Sequence, residues 1–278
     1  MKKILNQLIQ LQELYFALEE HRVAGQRNQL QQLEEAIQTQ LRLLPQETAY
    51  LFQKLHHRDP PAIAPASNRT CLGCGLTLST SMNAELLHMD ALYQCPNCSR
   101  FLYPYQGEKL NFPAPSLYHK LPRLGINKFS SEKLMLPELR GGKPEEIISE
   151  LAYLISDQLF FNDAQLLIDQ ALERENIAGT AVEHALAFPH VRGVDAGGLT
   201  LALGIKKKGV KFGAPNNRLT KIFFFIIIPT AATAFYLKLL AGLIETFSET
   251  EARKALLNSS TPAELWSNLQ KLTRKTIP

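Results

Sequence analysis

No hydrophobic run in this 278-residue sequence can cross a bilayer. The longest unbroken one, Ile222 to Ile228, spans seven residues, and a spanning helix needs about 20. An export signal is also lacking. Lys2 and Lys3 open the chain in the right way, but Asn6, Gln7, Gln10, Gln12 and Glu13 interrupt any apolar stretch behind them. The expectation is a cytoplasmic protein with no membrane partner. Cysteine is scarce, with four in all, and each sits in a CxxC pair. None is left for a disulfide framework, so metal binding is the favoured use. Charge of one sign is lacking as well. The 30 basic and 26 acidic side chains give a net charge of +4, too mild to argue for nucleic acid by itself. What remains is ordinary for a globular chain, 45% hydrophobic and 20% charged, at a length that suggests two domains.

The pattern shifts several times along the chain. Residues 1–57 are rich in Leu, Gln and Glu. Apolar positions at Ile4, Leu8, Leu11, Tyr15 and Leu18, and again at Leu30, Leu33, Ile37, Leu41 and Leu44, recur at steps of three and four. This predicts a coiled helical hairpin broken near Gly25, with Pro45 starting a short third helix. Pro60, Pro61 and Pro65 mark 58–69 as a linker. Residues 70–104 hold the cysteines, and 105–128, with Pro113, Pro115 and Pro122, read as a second connector. From 129 to 275 strand and helix signals alternate. Leu134–Leu136, Leu199–Ile205 and Lys221–Ile228 are predicted strands. Lys143–Gln158, a segment capped at Asn162 or Asp163 and running to Glu175, Phe235–Phe247 and Pro262–Leu272 are predicted helices. The fold class expected is multidomain: a helical hairpin, a small zinc ribbon, and a C-terminal α/β sandwich with a mixed sheet flanked by helices.

The cysteines run Cys71-x-x-Cys74, twenty residues, then Cys95-x-x-Cys98. Two intervening residues let one tight knuckle aim both sulfurs at a single ion. Gly73 and Gly75, and Pro96 and Asn97, supply turn chemistry. Four thiolates close a tetrahedral shell, so one structural Zn2+ per chain is expected. His88, between the knuckles, reads as a surface residue rather than a fifth ligand. Cys-Leu-Gly-Cys-Gly at 71–75 and Gln-Cys-Pro-Asn-Cys-Ser-Arg-Phe-Leu-Tyr at 94–103, after Leu/Gln-rich helices, resemble a family of four-cysteine zinc ribbons that follow a helical hairpin. The resemblance implies interaction with protein or nucleic acid through residues 1–104.

The stretch Arg174 to Arg192 is the most informative. Pro189 fixes its own φ and holds Phe188 extended, which can set His190 at a strand end facing solvent. A neutral imidazole nitrogen can accept a phosphoryl group, and Arg174 or Arg192 can pair with phosphate oxygens. The residues alone leave a second reading open, in which His190 is simply a packed or surface histidine. With Arg174-Glu175 upstream, Thr180, Ala-Phe-Pro-His at 187–190, Lys-Gly-Val-Lys-Phe-Gly-Ala at 208–214 and the apolar run ending at Pro229, residues 129–275 resemble the mannitol/fructose-type enzyme IIA domain of the sugar phosphotransferase system. The resemblance implies that His190 accepts a phosphoryl group from a phosphohistidine carrier protein and passes the signal to a regulated partner not identified by sequence.

Two departures from that pattern stand out. The family's second histidine, followed by leucine, is here Tyr236-Leu237. The loop glycines are replaced by Ala178, Ala181, Glu183 and Ala185, with Gly179 retained, and His184 stands where a polar residue is usual. His184 is either a substitute ring near His190 or an exposed loop residue. Three readings follow: a regulatory phosphoacceptor, as in the nitrogen-regulatory branch, favoured because no permease or IIB domain is seen; an interaction module that is never phosphorylated; or an adaptor acting through the ribbon and hairpin.

Overall fold

The computed structural model describes residues 1–105, 125–159, 163–194, 198–229 and 232–277. The chain divides into two compact units, Met1–Glu108 and Lys109–Pro278.

In the first unit, α1 (Lys2–Val23) and α2 (Arg27–Leu43) pack on one another across a turn at Gly25, whose φ of +70° is left-handed. Leu44 and Pro45 end that pair, and α3 (Gln46–Arg58) follows. The 58–69 segment corrects a sequence expectation. It is not a free linker: β1 (Ile63–Ser67) lies inside it, with Ala62, Ile63 and Ala64 buried. β1 pairs antiparallel with β2 (Thr70–Cys71) and parallel with β4 (Phe101–Pro104), and β4 also pairs with β3 (Tyr93–Gln94), giving the order β2-β1-β4-β3. Pro65 fits because its carbonyl still accepts from the Leu72 amide at 3.0 Å; only the donor that proline never has is given up. The Gln12 amide fastens α1 to this strand at two points, accepting from Ile63 N at 2.9 Å and donating to Ile63 O at 3.4 Å. A short helix, α4 (Thr80–His88), is capped by Ser79 Oγ on the Met82 amide. The expected connector at 105–128 lies almost wholly outside the described residues; its end, Gly125–Lys128, forms a 3-10 turn.

The second unit is built on a mixed sheet. β9 (Thr200–Val210) and β10 (Thr220–Pro229) pair antiparallel at its centre. β5 (Met135–Leu136) adds parallel to β9. On the other side of β10 lie β7 (Leu186–Ala187) and β8 (His190–Val194), both parallel to it. They act as one strand interrupted at Phe188-Pro189. β6 (Ala181–Val182) closes the edge against β7. Residues Ile222 to Ile227 of β10 are all fully buried. Successive strand side chains point to opposite faces, so such a strand must be covered on both. α5 (Pro144–Leu159) and α7 (Thr233–Ser248) both pack on it. The remaining helices are α6 (Ala164–Ile177), α8 (Thr250–Leu257) and α9 (Pro262–Thr273). Asp163, one of two expected caps, receives the Leu166 amide at 2.9 Å. The multidomain class with a mixed α/β sheet is as the sequence implied. Among the described residues no helix is long and apolar enough to cross a membrane.

Candidate functional site

The cysteine site is assembled by two matching knuckles. Cys71 N is held in place by donating to Leu76 O, and Cys95 N by donating to Arg100 O, both at 2.9 Å. Within each knuckle the residue after the second cysteine turns back: Gly75 N donates to Cys71 O at 2.7 Å, and Ser99 N to Cys95 O at 2.8 Å. Those two residues have φ of +77° and +63°. Of the turn residues named from sequence, Gly75 therefore supplies the backbone conformation, and Ser99 was missed because serine does not advertise a left-handed turn. Gly73 serves a different end: a Cβ there would meet Ala64 Cβ and Arg100 Cδ at 2.9 Å.

All four sulfurs lie within 4.8 Å of one another, with Cys71–Cys98 at 3.8 Å and Cys74–Cys95 at 3.6 Å, and none is in a disulfide. Tetrahedral Zn–S bonds of about 2.3 Å require sulfurs about 3.8 Å apart, so the donor set fits the ion. Burial pushes the Cys71 and Cys95 thiols up, and a divalent cation is what offsets that opposition to thiolate. At Cys74 burial is outweighed by the Leu76 amide, Asn97 and the neighbouring cysteines, and the thiol falls to about 6. The ion is a structural Zn2+: the four ligands leave no open position. Arg100 braces the ribbon from behind, donating to Pro61 O at 2.8 Å and pairing with Asp59. His88 is exposed and outside the sulfur cluster.

The histidine site lies where β7 gives way to β8. Pro189 has no amide to offer, but its carbonyl accepts from Ile226 N at 3.0 Å, which locks His190 opposite Ile226 in β10. The loop before it is tied from α6. Glu175 accepts the Thr180 amide at 2.9 Å and the Thr180 hydroxyl at 2.6 Å. Sequence singled out both residues without showing that they meet. Thr180 O in turn accepts from Phe188 N at 3.1 Å. The loop takes left-handed φ at His184 (+65°) and Ala185 (+64°) although neither is glycine. Loss of the glycines therefore did not remove the turn; it is held at a cost of about 1–3 kcal/mol per strained residue.

The expectation that His190 faces solvent is corrected. Its side chain has 0% exposure, as does Tyr236. The two rings lie 5.2 Å apart, tilted at 42°, with Tyr236 Oη 3.5 Å from His190 Nδ1. Arg192 covers Tyr236 in turn, its guanidinium carbon 4.9 Å from the ring centroid. His190, Tyr236 and Arg192 are thus brought together. Arg174 is buried and donates to Ala178 O at 2.8 Å, holding the end of α6 to the loop. His184 is exposed and forms no hydrogen bond or ring contact with His190 among the described residues. Nδ1 of His190 lies 3.0 Å from Phe188 O. A carbonyl only accepts, so that bond puts the proton on Nδ1 and the lone pair on Nε2.

Residues 128–272 match the family described as "Phosphoenolpyruvate-dependent sugar phosphotransferase system, EIIA 2". The chain belongs to this EIIA family. Residues 70–102 separately match the C4-type zinc ribbon domain. Among curated relatives, the PTS system fructose-specific EIIA component of Haloferax volcanii is 28% identical over 115 residues, covering 41% of this chain and 75% of that protein. A nitrogen regulatory protein of Pseudomonas aeruginosa is 24% identical over 131 residues, covering 47% of this chain and 85% of that protein. Among solved structures, nitrogen regulatory protein IIA-Ntr from Neisseria meningitidis is 22% identical with a TM-score of 0.48, covering 52% of this chain and 98% of that one.

Proposed function

We propose that the EIIA domain is a regulatory phosphocarrier that accepts a phosphoryl group on Nε2 of His190 from a phosphohistidine carrier protein. The observation that carries this reading is the bond from Nδ1 to the Phe188 carbonyl at 3.0 Å. It fixes one tautomer and directs the lone pair of Nε2 toward chemistry. In the transfer, the donor's N–P bond breaks and leaves its electron pair on the donor ring, while a new N–P bond forms at Nε2. The ring gains positive charge, and the Phe188 carbonyl, already bonded to Nδ1–H, stabilises it. Phosphoryl transfer asks little covalent help beyond such positioning and charge.

Arg192 is the residue for the phosphate oxygens. Its guanidinium can leave the neutral Tyr236 ring for a charged partner, because an ion pair with phosphate outweighs a cation–π contact of about 0.5–2 kcal/mol. Tyr236 is a cover for the ring and a hydroxyl donor once displaced. Arg174 positions the loop and does not reach for phosphate. The resemblance to a nitrogen regulatory protein suits a signalling role in which the zinc ribbon unit carries the response to a regulated protein.

One observation favours a second reading. With His190 at 0% exposure, the domain works equally well as an adaptor that is never phosphorylated. In that case the first unit binds protein rather than nucleic acid: residues 1–108 hold nine basic and ten acidic side chains, net −1, and offer no field for phosphates. Incubation with enzyme I, the carrier protein and labelled phosphoenolpyruvate separates the two. Label on the wild type and none on His190→Ala supports the carrier; an unlabelled wild type leaves the adaptor.

A further inference from the structure

One short segment of this protein carries a dense run of positive charge. Residues 206–221 carry Lys206, Lys207, Lys208, Lys211, Arg218 and Lys221 and no carboxylate. That is +6 within a chain whose total is +4, so everything else sums to −2. The segment is the turn end of the β9–β10 hairpin. β5 and β7 pair with residues 203–204 and 222–223, and so stop short of it. What extends beyond them is a two-stranded ribbon.

Its backbone is built to crowd the lysines. Ile205 pairs with Ile222, and the next matched pair is Val210 with Thr220, so four residues of β9, Lys206 to Gly209, lie opposite Lys221 alone. The surplus arches out of the ladder. Gly209 closes the arch at φ +77°, where a Cβ would strike Leu219 Cβ at 2.7 Å. Bulges of this kind re-aim side chains. Lys206 is taken up internally, donating to Leu139 O at 2.9 Å and Arg140 O at 2.7 Å, beside Glu146 on α5. Lys207, Lys208, Lys211 and Arg218 are exposed, and none has an ion-pair partner among the described residues.

We infer that this basic hairpin binds the phosphate backbone of double-stranded nucleic acid without reading sequence. A β-ribbon fits a duplex groove. The segment's one aromatic, Phe212, is buried, so there is no platform on which to stack unpaired bases. The segment carries no carboxylate of its own, and backbone charge contacts of this type supply sequence-independent affinity. The site is distinct from the histidine site. Lys221 and Ile226, the partner of His190, are five residues apart along β10, about 17 Å at strand rise. The inference does not depend on phosphorylation.

The test is fluorescence anisotropy of the full chain with two unrelated 20-base-pair DNA duplexes at 50 and 200 mM NaCl. About four phosphate contacts predict a log–log salt slope near −3.6 and so an affinity loss of roughly 150-fold between those salts. The two duplexes should bind alike. The quadruple variant K207Q/K208Q/K211Q/R218Q should lose about 100-fold or more at low salt while keeping the wild-type thermal transition. K2Q/K3Q, altered in the other unit, should bind as wild type. No binding by the wild type at 50 mM salt overturns the proposal whatever the variants do. So does undiminished binding by the quadruple variant, or tighter binding to polyglutamate than to either duplex.

Discussion

Removing the cover from His190 should expose a reactivity that the wild type withholds. Tyr236 is fully buried, and its ring is in contact with both His190 and the Arg192 guanidinium. Replacing it with alanine deletes a buried aromatic, at about 3–5 kcal/mol of domain stability. Tyr236→Phe removes only the hydroxyl. That hydroxyl is 3.5 Å from His190 Nδ1, at the limit of hydrogen bonding, so the change should cost under about 1 kcal/mol. The accessibility effect runs the other way. In the wild type, swinging Tyr236 aside forfeits its contact with Arg192 and part of its packing. A cost of about 2 kcal/mol makes the open form roughly one molecule in 30. Phosphoramidate, a small phosphoryl donor that needs no protein partner, samples only that fraction. His184, exposed six residues earlier on the same loop, is the internal reference. Mass spectrometry of timed reactions should show His190 labelled roughly 30-fold more slowly than His184 in the wild type and in Tyr236→Phe. The two sites should approach parity in Tyr236→Ala, provided urea titration shows that variant still folded. Equal labelling of His184 and His190 in the wild type would refute the cover.

Two further predictions concern the first unit. Elemental analysis should find one zinc per chain, and Cys95→Ser should release it and unfold the ribbon, since metal binding in small ribbons contributes about 10–16 kcal/mol; an intact, metal-free ribbon by amide exchange would count against the site. His56 lies 4.2 Å from the Tyr15 ring, tilted at 34°, and is stacked on Phe52 at 6.1 Å, and burial, with the charge of His57, lowers it from 6.5 to about 4. A histidine lowered on folding contributes stability that is complete above pH 6.5 and is lost as pH falls toward 4. Allowing for its partial exposure, urea titrations at pH 7.5 and 5 should differ by about 1–2 kcal/mol more in the wild type than in His56→Phe; equal differences would show that the ring is not held neutral.

Sequence spoke most clearly where chemistry demanded particular atoms. Two CxxC pairs can do little but chelate, and the structure gathers those sulfurs as the spacing implied. The long apolar strand β10 was legible because it is buried from Ile222 to Ile228. Residues 58–69 misled because three prolines outvoted Ile63-Ala-Pro-Ala, a strand whose partner β4 lies some forty residues on. No local signal reports a parallel pairing at that distance. α8 escaped notice because its eight residues carry little apolar periodicity of their own, with Ala252 and Leu256 alone buried. At the histidine site, motif and loop residues were readable, but exposure was not. His190 is buried among residues that include Tyr236, 46 residues downstream, and no local pattern reports a contact made in three dimensions.

That cover bears on which role the domain can fill. A sugar-uptake carrier turns over with every molecule transported, so an open fraction of roughly one in 30 would slow each cycle in proportion unless the donor itself drives opening. A regulator needs only to reach its phosphorylated state within the time over which conditions change, and the same fraction costs it little. Tyrosine at 236 also makes the cover self-consistent. Its neutral, electron-rich face holds the Arg192 cation at 4.9 Å, whereas a protonated histidine in that place would repel it. Phosphorylation would reverse the preference, since a dianion competes for Arg192 far better than a ring face. Arg192 would leave Tyr236, and α7 would lose that contact. If His190 accepts a phosphoryl group as proposed, the substitution that separates this chain from the two-histidine pattern would therefore be the one through which that group changes its surroundings.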